Sequence, residues 1–265
     1  MLDVLLAAGA VALLATYARG YAALPVGAVE ARRERVLAFA GGFAVTLVAL
    51  ASPFEHAADT SLAAHMTQHV LLLAVAPPLL VASRPTRVLV RGLPERWQAR
   101  GHALQRRVGS WARRGGGATA VAAVIVQTAV IAIWHLPGPF DAAVHNSALH
   151  ALEHLSFLAT SLVLWSVIAW SAARGRAAVS IFCVFAAGLA CTALGAALAL
   201  SSTQWYSAYS YASASAALAD QQLGGMIMWG FGNLALVVAG AVMVGAWLFG
   251  LERRTPSRVH AGSVE

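Results

Sequence analysis

Every basic side chain in this 265-residue chain is an arginine, and the eighteen arginines fall in four clusters separated by long apolar runs. Arg19, Arg32, Arg33 and Arg35 form the first cluster. Arg84, Arg87, Arg91, Arg96, Arg100, Arg106, Arg107, Arg113 and Arg114 form the second. Arg174 and Arg176 form the third, and Arg253, Arg254 and Arg258 the last. The apolar runs lie at about 2–18, 36–53, 62–82, 118–136, 148–171, 177–200 and 222–249. A helix of roughly 17–25 apolar residues spans ~30 Å of hydrocarbon. Seven such helices put every arginine on one side, and arginine stays on the cytoplasmic side. One helix more or fewer would destroy that alternation. The pattern therefore predicts an all-α polytopic membrane protein of seven transmembrane helices, N-terminus outside and C-terminus cytoplasmic.

Composition agrees. The chain is 59% hydrophobic and 11% charged, against about 25% charged in an average soluble chain. The net charge of +7 is explained by arginine in cytoplasmic loops, so it predicts no nucleic-acid partner. The first apolar run has Asp3 before it and Arg19 after it. A signal peptide carries its positive residues first, so this run is expected to be a retained helix. One domain, 1–265, is expected. It includes a long basic cytoplasmic loop at 83–117 and a cytoplasmic tail at 251–265. Leu93–Val108 could lie as an amphipathic helix on anionic lipid, with Gly115–Gly117 giving slack after it. The 201–220 loop is expected to be partly ordered by Trp205, Tyr206, Tyr209 and Tyr211.

Seven of the nine histidines fall at the opposite, outer surface: His56, His65, His69, His135, His145, His150 and His154. His102 and His260 are expected to be solvated on the cytoplasmic side. His65 and His69 are four apart at the outer start of the third span, as are His150 and His154 at the start of the fifth. One helical turn brings each pair to one face. His135 ends the fourth span at the same depth. The positive end of a helix dipole favours neutral imidazole, the metal-ligating form. His65, His69, His135, His150 and His154 are therefore the expected ligands of one outward-facing metal site, with His56 and His145 weaker candidates.

Other donors lie near. Met66, Met226 and Met228 are thioethers, and Cys183 and Cys191 are thiols. Together with imidazole they would suit copper, especially Cu(I). Methionine in an apolar helix is more often packing, and buried free cysteine a small hydrophobe. The cysteines, eight apart, lie about 12 Å apart on a helix, too far for a disulfide. Glu153 and Gln68 could orient ligand histidines. Asp220, Gln221 and Gln222 are expected to cap the outer start of the seventh span, where this polar cluster could also support the site from behind its ligands, with Gly224–Gly225 permitting close helix approach. Pro77 and Pro78 remove backbone donors from the third span and should kink it.

Three segments, HMTQHVLLLAVAPPLL, IWHLPGPFDAAVHNSALHALEHLSFLATSLVLW and DQQLGGMIMWG, resemble the CtaG-type cytochrome c oxidase assembly factors of bacterial plasma membranes. The resemblance covers helices three to seven, and the motifs keep the family's order. It implies seven spans, location in the bacterial plasma membrane and a role in maturing haem–copper oxidases by handling copper for the catalytic subunit. His65, His69, His135, His150 and His154 are then the family's motif histidines. The implied partners are the oxidase subunit and the lipid bilayer, with homo-oligomerisation left open.

Two other functions compete. His150-Ala-Leu-Glu153-His154 matches the H-x-x-E-H pattern of some metalloproteases. An intramembrane zinc hydrolase would use Glu153 as general base. Histidines on separate helices could also ligate haem axially, but one-turn spacing near the surface suits a compact metal centre better. The expected function is non-enzymatic copper delivery.

Overall fold

The computed structural model describes residues 2–24, 29–50 and 54–252. Arg253, Arg254, Arg258 and His260 lie outside the described residues. The helices run Leu2–Ala22, Val29–Leu50, Phe54–Ala58, Leu62–Ala82, Pro85–Gly92, Glu95–Trp134, Pro137–His145, Ser147–Ala173, Ala177–Ala199 and Ala214–Glu252. No strand occurs among the described residues. Among the described residues four segments are long and apolar enough to cross a membrane: Leu62–Ala82, Gly116–Trp134, Ser147–Ala173 and Ala177–Ala199. Their outward faces carry exposed Ile125, Ile133, Leu155, Val163, Phe185 and Leu189. An apolar exterior of this kind is at home in lipid, which offers backbone polar groups no partners and so demands helices.

The Leu62–Ala82 segment holds the centre of the bundle. It is α-helical to Val70, takes a π turn at Leu71–Val75, and is α-helical again from Ala76. The cause is the Pro77–Pro78 pair. Proline cannot donate the bond that Leu73 O would accept, and its ring crowds the preceding turn. The freed Leu73 carbonyl instead accepts from Ser161 Oγ at 3.1 Å and Trp165 Nε1 at 3.4 Å, both on Ser147–Ala173. Gln127 of the neighbouring helix donates to Ser161 Oγ at 2.7 Å. The proline pair thus exchanges a local backbone bond for a cross-helix polar network.

Two connections differ from expectation. The 83–117 segment is largely helical: Pro85–Gly92 forms its own helix after a left-handed Arg84, and Glu95 begins a helix that bends at Gly116. Gly116 has φ 50° and ψ −124°, a conformation open to glycine because it lacks Cβ. The last helix starts at Ala214, not near residue 222. Asp220 therefore sits inside that helix and does not cap it. It caps a neighbour: its carboxylate accepts from Leu62 N at 2.6 Å, Ala63 N at 3.3 Å, Ser61 Oγ at 2.9 Å and Tyr211 Oη at 2.6 Å. The sequence places the start near 222 with Asp220 as the cap; the helix begins earlier because the Ser- and Ala-rich 214–219 stretch extends it.

The last helix packs tightly on Ala177–Ala199. A Cβ at Gly225 would lie 2.4 Å from Ala199 N, and one at Gly195 would lie 2.7 Å from Trp229 N. These glycines let the two backbones touch.

Candidate metal centre

Two capped helix starts build the centre. Ser61 Oγ accepts from Ala64 N and, with Asp220, fixes the start of Leu62–Ala82. Asn146 Oδ1 accepts from Ala148 N and Leu149 N and fixes the start of Ser147–Ala173. Side-chain caps satisfy the orphan donors of a helix's first turn. Histidines in the first two turns of both helices then face each other. The ring centroids of His65 and His69 are 4.5 Å apart, and those of His150 and His154 are 4.2 Å apart. Across the helices, His65 lies 4.9 Å from His150, and His69 lies 5.5 Å from His154.

Glu153 stands among them. Its Oε2 is 3.5 Å from His65 Nε2 and its Oε1 is 3.4 Å from His69 Nε2. His65, His69, Glu153 and His154 each offer one ligand atom, all within 4.8 Å of one another, and all four side chains are buried. Neither Glu153 nor His69 has exposed surface. Sequence placed Glu153 beside the ligands; in the fold its carboxylate lies between them.

The atoms facing the centre lack partners. His65 Nε2, His69 Nε2, His150 Nε2, His154 Nε2 and both Glu153 oxygens are buried without a hydrogen bond. An unpaired buried polar group costs about 1–3 kcal/mol, and a buried carboxylate more. The unpartnered atoms of His65, His69, Glu153 and His154 gather within 4.8 Å of one another, an arrangement that suits a cation. A tetrahedral ion with ligand bonds near 2.1 Å has ligand atoms about 3.4 Å apart, which matches the spacing from Glu153 to both histidines.

The outer ring nitrogens are held in ligating tautomers. His135 Nδ1 donates to Ile131 O at 2.8 Å, because a carbonyl only accepts. His135 Nε2 then accepts from His69 Nδ1–H at 3.3 Å, which leaves the lone pair of His69 on Nε2. His65 Nδ1 lies 2.9 Å from Tyr209 Oη. That hydroxyl can accept from Nδ1–H, and in that tautomer the lone pair of His65 is on Nε2. Histidine ligands are commonly oriented through their second nitrogen in this way. His135, expected as a ligand, thus stands behind His69 and has both nitrogens engaged.

A loop closes the end of the bundle beside the histidines. Residues 201–213 are held by Gln221, whose Oε1 accepts from Trp205 N and whose Nε2 donates to Thr203 O. Gln222 donates to Ser201 O, and Asp141 accepts from Ser207 N and Ala208 N. Tyr206 Oη donates to His135 O at 2.9 Å. Burial pushes the Tyr206 and Tyr209 phenols up from their ordinary range, so both stay protonated. Phe140 and Phe157 wall the centre at 5.0 Å from His65 and 4.7 Å from His69.

Glu55 was missed by sequence reasoning. Its Oε1 lies 3.2 Å from His150 Nδ1, and its Oε2 accepts from Gln68 Nε2 at 2.9 Å. Gln68 thus orients Glu55, not His69, and also donates to Ala49 O. Partial burial pushes the Glu55 carboxyl up, but the hydrogen bonds from His150 and Gln68 outweigh it and hold it below the usual range. The signal available was its place: Glu55 is one of eleven acidic residues in the chain, and it adjoins His56.

The soft donors lie elsewhere. Met66 and Met228 are buried in an apolar cluster with Leu62, Val70, Phe140 and Leu198. Met226 is exposed. Cys183 sits in a second apolar cluster with Leu164 and Ile168, and Cys191 Sγ donates to Met228 O at 3.2 Å. His56 and His145 are exposed on the outside of the cluster.

The family of cytochrome c oxidase caa3 assembly factors (Caa3_CtaG) has a model that matches residues 15–249. Comparison with curated proteins and with solved structures gives no match. The family match takes in every helix that lines the histidine centre and nearly the whole chain, so this membrane protein belongs to the cytochrome c oxidase caa3 assembly factor family.

Proposed function

We propose that this assembly factor binds copper as cargo in the His65, His69, Glu153 and His154 cage and passes it to the catalytic subunit of a haem–copper oxidase. The observation that carries the reading is the convergence of unpartnered, buried imidazole and carboxylate atoms on one point. The arginine segregation supports seven spans in a bacterial plasma membrane, with the cage at the outer side. The donors are imidazole and carboxylate, without sulfur. That set supports Cu(II), with Zn(II) as competitor, over the Cu(I) that sulfur ligands would select.

The test is metal loading of detergent-purified protein with Cu(II), with Cu(I) under reductant, and with Zn(II). One tightly held copper is expected in the cage. A variant combining His65→Ala, His69→Ala, Glu153→Gln and His154→Ala should lose it yet still insert, since each helix keeps its apolar span. Copper retained at parental affinity by that variant would overturn the assignment. The zinc-hydrolase reading rests on the same Glu153 carboxylate, which would then serve as base and not as ligand.

A further inference from the structure

Beside the cage stands a second group of donors: Glu55, His150 and His154, each with a ligand atom within 4.8 Å of the others. The group differs from the cage in access. Glu55 keeps 33% of its side-chain surface exposed and His150 9%, whereas Glu153 keeps none. Further out lie His56 and Asp59, 3.8 Å apart and largely open to solvent. Donors of the same chemistry therefore step inward from the surface to the closed cage.

His154 belongs to both groups. His150 completes the link: its Nδ1 faces Glu55, its ring packs against His65 and His154, and its Nε2 is buried without a partner. Gln68 holds the Glu55 carboxylate toward this spot while being anchored on Ala49 O. An ordinary surface ion pair needs neither the buried unpaired nitrogen nor the shared histidine.

We propose that Glu55, His150 and His154 form an outer receiving position for the metal ion, from which it moves into the cage by ligand exchange. This rests on the cage reading above. In the exchange the bonds to Glu55 and His150 break, bonds to Glu153, His65 and His69 form, and His154 stays bound. The ion keeps its oxidation state. The stepwise route never strips the ion of all protein ligands. The Glu55 carboxylate also gives the mouth of the site a negative charge, and such charges raise cation on-rates by 10–10³ at roughly the scale of electrostatic steering.

The test is stopped-flow loading of the full-length, detergent-purified protein with Cu(II) alone, followed by equilibrium competition for the bound ion. Glu55→Gln should slow loading at least about tenfold and lower equilibrium affinity by a smaller factor than it lowers the rate. Glu55→Asp should keep part of the rate. Loading of Glu55→Gln at the parental rate overturns the receiving position. An affinity loss as large as the rate loss also overturns it, because Glu55 would then support the cage itself. The two readings fail separately: if Glu55→Gln loads like the parent while His69→Ala abolishes binding, the cage stands and the receiving position falls.

Discussion

Replacing Glu153 by glutamine removes one negative charge and changes little else in shape. In the metal-free protein both Glu153 oxygens are buried without hydrogen bonds, so an ionised carboxylate there would carry a desolvation cost. The neutral amide should leave the metal-free protein at least as stable as the parent. In the loaded protein the effect reverses. Each carboxylate oxygen lies within 3.5 Å of a ligand nitrogen, so an ion at the centre would sit closer still. Unit charges about 4 Å apart interact by about 4 kcal/mol at an effective dielectric near 20. Glutamine keeps one acceptor oxygen and recovers part of that. The expected loss of copper affinity is ~10²–10³-fold, since about 1.4 kcal/mol is tenfold. The assay is chelator competition in detergent, paired with thermal unfolding of both forms without metal. Parental affinity in Glu153→Gln refutes the ligand role. Full metal occupancy with loss of oxidase maturation in cells would instead indicate a general base, as the hydrolase reading requires.

Three further outcomes are expected. His135→Ala should weaken copper binding by only ~10–100-fold, because it removes the acceptor that orients His69 and no ligand; chelator competition beside His69→Ala checks the order of the two effects. Gly225→Ala should destabilise the fold by about 1–3 kcal/mol through its clash with Ala199, while Gly230→Ala, which meets nothing within 4 Å, should stay within about 0.5 kcal/mol, as read by thermal unfolding in detergent. Reporters fused after residues 20, 100 and 175 should be cytoplasmic and those after 58, 141 and 210 external; two on the wrong side would overturn the seven-span orientation.

Much of the architecture was legible because lipid enforces a simple code. Apolar runs near 20 residues must be helices, since hydrocarbon offers the backbone no partners, and the four spans found coincide with predicted ones. The His65–His69 and His150–His154 pairs were legible for a related reason: spacing of four on a helix fixes a common face. What lay beyond the sequence was which faces meet. Rotation and depth of neighbouring helices depend on packing details such as Gly195 against Gly225 and the Leu73 carbonyl released by Pro77. Those details carry Glu153 into the middle of the histidines, set His135 behind His69, and turn Met66 and Met228 into an apolar cluster. Glu55 comes from the short Phe54–Ala58 helix and Tyr209 from a loop, both outside the spans and too short or irregular for a period to show in the sequence. The sequence by itself determined the helical class, the four spans that coincide and the shared face of each histidine pair, because helical period and lipid are local rules. Only the tertiary structure decided which atoms face the centre, because that depends on contacts between residues as far apart as His65 and Glu153.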